Sequence, residues 1–136
     1  MSRHDLLEFA KRYTAAWCSQ NAANVAACYE PGGTLTINNS PPAVGRLAIA
    51  ATAQSFMTAF PDIQVILDDV GIENGRTVYR WTLLGTNTGP GGTGARVRIS
   101  GYEVWKLSGE ELIAESQGHF DNADYQRQLA QDQGHT

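Results

Sequence analysis

The sequence predicts an α+β domain, and three observations carry that prediction. Apolar residues recur at helical spacing through roughly the first 60 positions, and the pattern changes to strict alternation after Pro61. Asn74-Gly75 then joins two alternating runs, which is a strong hairpin signal. Helices followed by strands are typical of a fold in which helices pack on one face of an antiparallel sheet. We therefore expect a curved antiparallel sheet with the N-terminal helices on one face.

The first helix is predicted over residues 3–18. Ser2 followed by Asp5 resembles a capping box in which Asp replaces the usual Glu. After this cap, apolar residues recur at helical spacing: Leu6, Phe9, Ala10, Tyr13 and Trp17. These residues form one apolar stripe, which predicts an amphipathic helix packed on a core.

Two further helices are predicted before the strands. Asn21 is a good N-cap for a short helix that ends by the Pro-Gly-Gly at 31–33, and an extended segment follows at 34–38. The next helix runs from about 46 to 59 and stops at Pro61, because the residue before a proline is pushed out of helical geometry.

The remaining chain predicts four strands and a final helix. The strands are expected at 63–73, 76–87, 95–107 and 111–120, and the helix at 122–131. No repeat, linker or low-complexity segment divides the chain, so residues 1–136 are expected to form a single domain.

Composition limits the function classes. A formal charge of −4 argues against nucleic acid as a partner, because phosphate binding needs a basic surface. No apolar run reaches membrane-spanning length, so no membrane partner is expected. Cys18 and Cys28 do not have a metal or redox spacing, and the first residues lack a signal-peptide pattern. We expect a cytoplasmic protein without a metal site.

The last predicted strand carries the residues best suited to chemistry. Alternation places Glu115, Gln117, His119 and Asp121 on one face of the strand and Ala114, Ser116, Gly118 and Phe120 on the other. An imidazole close to a carboxylate is suited to general acid–base catalysis. We therefore expect the odd-numbered face to line a pocket, with Asp121 and His119 as catalytic residues.

Several short motifs occur in an order that resembles a known family. They are Val-Gly-Arg at 44–46, Phe-Pro-Asp at 60–62, Trp-Thr-Leu-Leu-Gly-Thr-Asn-Thr-Gly at 81–89, Leu-Ile-Ala-Glu at 112–115, Asp121, and Gln-Leu at 128–129. Together they resemble the SnoaL-like polyketide cyclases, within the nuclear-transport-factor-2-like superfamily. The resemblance implies a cone-shaped sheet whose concave face, closed by the first helices, surrounds an apolar pocket.

The same resemblance implies a small organic ligand, no metal or organic cofactor, and a homodimer. In that family an acidic residue near the end of the last strand is thought to transfer a proton, and Asp121 occupies this position. The structural alternative for Asp121 is an N-cap of the final helix. For His119 it is a surface or hydrogen-bonded position. The dimer would use the outer sheet face, for which we expect Val97, Ile99 and Trp105 to supply apolar surface.

Seven further residues are expected to contact the substrate. Gln117, Arg80 and Asn38 would orient its polar atoms, and the pocket wall would be formed by Tyr13, Trp17, Phe56 and Tyr102. An Arg80 that faced inward would need an anion or an acidic partner, because its charge cannot be neutralised. The candidate partners are Glu103, Glu115 and Asp121.

These expectations leave three functions open. The first is a cofactor-free cyclase or isomerase acting on a small, apolar substrate with a carbonyl group. The second is a non-catalytic ligand-binding or dimerisation module. The third is an enzyme similar to limonene-epoxide hydrolase, and it is disfavoured because Thr82 stands where the mechanism requires a carboxylate. The sequence does not identify the substrate.

Overall fold

The computed structural model describes residues 2–131 and shows an α+β fold with one six-stranded sheet. The elements are α1 (Arg3–Cys18), α2 (Ala22–Ala26), β1 (Tyr29–Ile37), β2 (Ala43–Val44), α3 (Arg46–Ala59), β3 (Gln64–Glu73), β4 (Arg76–Thr86), β5 (Arg96–Leu107), β6 (Ile113–Phe120) and α4 (Asn122–Leu129). The order of strands is β2-β1-β6-β5-β4-β3, so β2 and β3 form the edges and the sheet is not closed.

The helix boundaries follow from the predicted caps. The Ser2 hydroxyl accepts a hydrogen bond from the Asp5 amide, and the Asn21 side chain accepts one from the Ala23 amide. Helices α1 and α3 have the predicted bounds. Helix α4 ends at Leu129, two residues before the predicted end, and its expected last residue Gln131 lies outside it.

The sheet is mixed, which corrects the expectation of a purely antiparallel one. Strand β1 pairs with β6 in parallel, for example with Leu35 opposite Ser116, while the other strand pairs are antiparallel. Strand β1 also begins earlier than predicted and includes the Pro-Gly-Gly segment at 31–33. A parallel pair needs a long connection between its strands, and here α3 and four strands lie between β1 and β6.

Helices α1, α2 and α3 cover one face of the sheet and bury the main core. Trp105 of β5 lies at the centre of this core, with the Phe9 ring at 5.4 Å in an edge-to-face arrangement and the Tyr79 ring stacked at 4.9 Å. Val97 and Ile99 of β5 are 3% and 4% exposed and Trp105 is 1% exposed. These three residues therefore belong to the helix-covered face, and the prediction that they form an outer, dimer-forming surface is wrong.

Gly101 of β5 lies where two strands and an aromatic ring approach one another closely. A Cβ at this position would lie 2.3 Å from the His119 carbonyl oxygen and 2.6 Å from the Trp81 ring. Both contacts are too short for a real side chain, so the backbone or the ring would have to move. At Gly71 of β3, by contrast, a Cβ would have no atom within 4 Å.

We expect Gly101→Ala to lower the free energy of unfolding by about 1–3 kcal/mol, because overpacking forces strain into a well-packed region. Gly71→Ala is the matched strand control and should change the free energy by no more than about 0.5 kcal/mol. Denaturant titration of both variants measures the difference. Equal stability of the two variants would show that the close approach at Gly101 is not a constraint.

Candidate functional site

A small cavity lies between the helices and the inner face of the sheet. Its volume is about 50 Å³. The lining residues are mainly aromatic and aliphatic: Trp17, Leu35, Ile37, Phe56, Val65, Tyr79, Trp81, Leu83, Ile99, Glu103, Gly118 and Phe120. The predicted wall residues Trp17 and Phe56 are among them. Among these side chains Glu103 carries the single ionisable carboxyl group.

Glu103 is held in the cavity wall by hydrogen bonds from three elements of the fold. It lies on the inner face of β5 and is 7% exposed. Its Oε1 atom accepts hydrogen bonds from the Tyr13 hydroxyl of α1 at 2.9 Å, the Trp105 indole N–H of β5 at 2.9 Å and the Ser116 hydroxyl of β6 at 2.7 Å. One carboxylate oxygen therefore joins helix and sheet at the base of the cavity.

The second oxygen of Glu103 is available to a ligand. Oε2 accepts no hydrogen bond from residues 2–131. Within that range, Trp81 Nε1 is the one fully buried side-chain nitrogen or oxygen without a partner. Glu103 lines the cavity, so Oε2 is its one carboxylate oxygen left for a ligand there to hydrogen-bond.

Burial raises the pKa of Glu103 above its ordinary value of 4.5. Removal from water disfavours the carboxylate, and the three donors on Oε1 lower the pKa only in part. Since Oε1 already receives three hydrogens, a proton on this group resides on Oε2. The acid form of Glu103 thus presents an O–H donor to the cavity, and the carboxylate form presents an acceptor.

Tyr13 supports Glu103 rather than lining the cavity as predicted. Its hydroxyl lies 2.9 Å from the Tyr29 hydroxyl as well as donating to Glu103. Burial, followed by the nearby Glu103 charge, raises the pKa of both phenols. Both phenols therefore stay protonated at neutral pH, and Tyr13 is a permanent donor to Oε1.

The odd-numbered face of β6 does not line this inner cavity as expected. His119 and Asp121 instead border a separate cleft of about 480 Å³, together with Asn38 and Tyr102. Gly118 and Phe120 line the cavity and Ser116 binds Glu103, whereas Gln117 is exposed. The His119 ring instead packs on Tyr102, with ring centroids 4.9 Å apart. In the pairing of β5 with β6, Glu103 lies opposite Gly118 and Trp105 lies opposite Ser116. The even-numbered residues of β6 therefore share the inner face of the sheet with Glu103 and Trp105.

Arg80 and Tyr102 also lie on the outer face of the sheet. The Arg80 guanidinium pairs with Glu73 at 3.1 Å and lies 5.7 Å from the centre of the Tyr102 ring. The condition for an inner acidic partner, an inward-facing Arg80, is not met, and Glu73 of the adjacent strand pairs with it in place of the three expected candidates. Neither Arg80 nor Tyr102 belongs to the cavity lining.

Asp121 is the N-cap of α4, as the structural alternative predicted. Its Oδ1 accepts a hydrogen bond from the Asp124 amide at 3.0 Å. It does not line the cavity that contains Glu103. Asn38 has a similar structural role, because its Oδ1 accepts the Phe120 amide hydrogen bond at 3.0 Å and its backbone has a φ of 50°.

A larger polar cleft of about 640 Å³ adjoins the cavity. The two spaces share Leu35, Ile37, Phe56 and Phe120. The polar lining of the cleft consists of Asn38, Asn39, Ser40, Thr52, Ser55 and Asn122. A ligand that places an apolar end beside Glu103 can therefore direct a polar end into this cleft.

Other site chemistries find little support in the described residues. Between Ser2 and Gln131, no group of three or more His, Cys, Asp or Glu side chains is arranged to hold a metal ion. In the same part of the chain no helix is both long and apolar enough to cross a membrane.

Thr82, the residue that disfavours an epoxide-hydrolase mechanism, lies on the face opposite the cavity. Its hydroxyl donates to Asp68 at 2.6 Å and lies 2.7 Å from the Ser100 hydroxyl.

The family model of the SnoaL-like polyketide cyclases matches residues 7–129. The match covers most of the sequence, and the chain therefore belongs to this family. This confirms the family resemblance and agrees with the α+β architecture. Among curated proteins, no match was found.

Solved structures of low sequence identity share the fold. A SnoaL-like protein from Jannaschia sp. CCS1 has a TM-score of 0.82 at 17% identity, covering 96% of each chain. A protein with a ketosteroid isomerase-like fold from Catenulispora acidiphila DSM 44928, solved with trimethylamine, has a TM-score of 0.79 at 15% identity, covering 95% of this chain and 97% of that one. SalBIII, an epoxide hydrolase/cyclase-like enzyme in pyran ring formation of salinomycin, has a TM-score of 0.76 at 16% identity, covering 90% and 95%.

Sequence reasoning assigned Glu103 only as a possible partner of Arg80. The available signal was its position: alternation along β5 places it on one face with Val97, Ile99 and Trp105. Burying a carboxyl group in the middle of an apolar face costs free energy unless the group is hydrogen-bonded, so such a residue calls for a functional explanation.

We expect the difference in unfolding free energy between Glu103→Gln and the native protein to shift in favour of the variant as pH rises. Between 4.5 and the raised pKa of Glu103, the folded protein holds a proton that the unfolded chain has released, so native stability falls through this window and stays low above it. Gln keeps an oxygen acceptor and does not titrate. Denaturant titrations from pH 4 to pH 9 measure the difference.

The control for this comparison is Glu110→Gln, which changes an exposed turn carboxylate. Because Glu110 lies on the surface, this substitution replaces one carboxyl group without touching the cavity. A Glu103→Gln difference that is constant with pH would contradict the raised pKa.

For Asp121 we expect the loss of the cap to be the measurable effect. Asp121→Ala should cost about 0.5–2 kcal/mol, whereas Asp121→Asn should cost only a few tenths because Asn caps helices as well as Asp. Thermal unfolding of the two variants tests this. If Asn were as damaging as Ala, the hydrogen bond to the Asp124 amide would not explain the residue.

Proposed function

We propose that this protein is a cofactor-free acid–base enzyme of cyclase or isomerase type, with Glu103 as the proton donor and acceptor. Its substrate is a small, largely apolar organic molecule with a carbonyl group. The observation that carries the proposal is a buried carboxyl group in the wall of an apolar cavity, with a raised pKa and an Oε2 that has no hydrogen-bond partner among the described residues. The same properties define general acid–base groups in other sites.

The chemistry needs two proton transfers, one to the substrate and one from it, with no net change in protonation. Glu103 in its acid form donates from Oε2 to one atom of the bound substrate and becomes a carboxylate. The carboxylate then accepts a proton from a second substrate atom, which restores the acid and leaves an isomer or a ring-closed product of the same composition. A raised pKa favours this exchange, because it makes the carboxylate a stronger base than an ordinary Glu and keeps the acid form present to a higher pH.

The cavity wall selects the substrate class. No Lys, Arg or His belongs to the described lining, so the site offers no counter-charge for a carboxylate or phosphate group. Apolar walls favour a hydrocarbon body, and the small volume admits only a few non-hydrogen atoms beside Glu103. A longer substrate would extend into the polar cleft, where amide and hydroxyl side chains offer hydrogen bonds.

The comparisons support the proposal at the level of fold. The matching family is named for polyketide cyclases, and SalBIII is an epoxide hydrolase/cyclase-like enzyme. The Catenulispora structure contains a small organic molecule, trimethylamine. This fold hosts several chemistries, so the assignment to Glu103 rests on this chain's own geometry.

The second candidate is a non-catalytic ligand-binding module. The three hydrogen bonds to Oε1 favour it, because they also satisfy a carboxyl group that merely stabilises the core. An epoxide-hydrolase mechanism stays disfavoured, since Thr82 is engaged by Asp68 and Arg80 lies on the outer face. The homodimer and the cytoplasmic location stay predictions.

Exchange of the α-protons of a small ketone distinguishes enzyme from binding module. With cyclopentanone as probe, deuterium incorporation in D₂O can be followed by proton NMR. We expect the native protein to accelerate the exchange over buffer, and Glu103→Gln to reduce that acceleration by roughly 10²–10⁴-fold. His119→Gln is the matched control on the outer face and should retain full acceleration.

Equal exchange with the native protein and with Glu103→Gln, at concentrations where NMR shows that cyclopentanone binds, would exclude Glu103 as the acid–base group. The protein would then be a binding module. Loss of exchange in His119→Gln with retention in Glu103→Gln would instead restore the prediction for the end of β6.

A further inference from the structure

We infer that the Glu103 cavity also binds small alkylammonium cations, with the positive charge beside Glu103 Oε2 and the alkyl groups against the aromatic wall. This is a ligand class different from the carbonyl substrate proposed above. It requires the same cavity but no catalysis. The inference rests on the ring content, the charge and the size of the cavity.

Aromatic rings form much of the cavity surface. The five aromatic lining residues are Trp17, Phe56, Tyr79, Trp81 and Phe120. They come from α1, α3, β4 and β6, so they surround the space rather than forming one flat wall. The faces of aromatic rings attract cations, and this attraction strengthens when the cation is removed from water.

The charges of the lining favour a cation over other ligands. Glu103 is the one charged residue in the described lining, and Arg80, which was predicted to face the pocket, is paired with Glu73 on the outer face. A cation in the cavity therefore meets one carboxylate and no repelling charge. Since the carboxylate lacks a cationic partner among the described residues, it also gains a counter-charge that the protein itself does not supply.

The size of the cavity limits the cation. A volume of about 50 Å³ holds only one or two methyl groups, so the rest of a trimethylammonium or tetramethylammonium group would lie past Phe56 and Phe120 in the adjoining cleft. Gly118 keeps this space open. A Cβ at Gly118 would meet the Glu103 Cγ at 3.6 Å, an ordinary contact distance, so Ala fits there and occupies part of the cavity.

Cation binding is coupled to the protonation of Glu103. A cation beside Oε2 stabilises the carboxylate and opposes the effect of burial on its pKa, so the protonated carboxyl releases one proton when the cation binds. A neutral ketone or alcohol keeps the proton on Oε2 and releases none. Cation affinity should therefore rise with pH until Glu103 is ionised in the free protein.

Among the ionisable groups around the cavity, Glu103 is the one whose pKa allows it to release that proton. Tyr13 of α1, Tyr29 of β1 and Tyr79 of β4 have pKa values raised above 10 by burial, and burial also raises the pKa of Cys28 above 9. Helix α3 and strands β3 and β6 contribute no ionisable side chain to the lining. Glu103 is therefore the one group around the cavity whose pKa is raised from an acidic value, since the ordinary pKa values of the others are 9 or higher.

Isothermal titration calorimetry with tetramethylammonium chloride tests the inference, because the charge of this probe does not change with pH. Tert-butanol serves as a neutral probe of similar shape. We expect tetramethylammonium affinity to rise by up to tenfold per pH unit below the pKa of Glu103, with up to one proton released per cation. Buffers of different ionisation enthalpy measure the proton release. Tert-butanol binding should not vary with pH.

Two variants locate the binding. Glu103→Gln should weaken tetramethylammonium binding at least tenfold and change tert-butanol binding much less, because Gln keeps a neutral hydrogen-bonding group at this position. Gly118→Ala should weaken both probes, because it fills part of the cavity while leaving the carboxyl group in place. Circular dichroism and the melting temperature confirm that each variant is folded.

Three results would overturn the inference: no tetramethylammonium binding at pH 8, binding without proton release across the pH range, or binding that neither variant weakens. The last result would place the cation on the protein surface. None of them bears on ketone exchange, so the proposed acid–base function can survive the loss of this inference. Conversely, cation binding with the expected proton release but no ketone exchange would support a binding protein.

Discussion

The hydrogen bonds to Glu103 Oε1 are the constraint on which the site depends. The donors come from α1, β5 and β6, so this one oxygen fixes the distance between the covering helix and two central strands. Without the acceptor, Tyr13, Trp105 and Ser116 would each lose a partner inside the core, and each buried polar group left unpaired costs about 1–3 kcal/mol. The carboxyl group is therefore as much a part of the fold as of the cavity.

The same arrangement explains why the acid is chemically useful. Donors on a single oxygen make the two oxygens of Glu103 different, with one bound to the protein and the other open to a ligand. Burial raises the pKa, while the donors limit that rise. A freely rotating carboxyl group in the same cavity would have neither a fixed direction for its proton nor a defined face for a ligand.

The polar residues that looked most chemical in the sequence have structural roles on the outside. Arg80, Tyr102 and His119 form a stacked and paired cluster on the outer face, and Asp121 caps α4. Their types and spacing suit catalysis equally well, because alternation along a strand says which residues share a face but not which face is covered. The predicted inside and outside faces are therefore inverted for both β5 and β6.

Local patterns were sufficient for the helices, the hairpin at Asn74-Gly75 and the α+β class, because caps, periodicity and turn residues act over a few positions. The ordered motifs were also sufficient for the family. What required the tertiary structure was the parallel pairing of β1 with β6, which joins segments far apart in the chain, and with it the side of the sheet that α1 covers. Glu103 forms the candidate site only because Tyr13, Trp105 and Ser116 donate hydrogen bonds to it. Tyr13 and Ser116 are distant from it in the chain, so no local sequence pattern predicts these contacts.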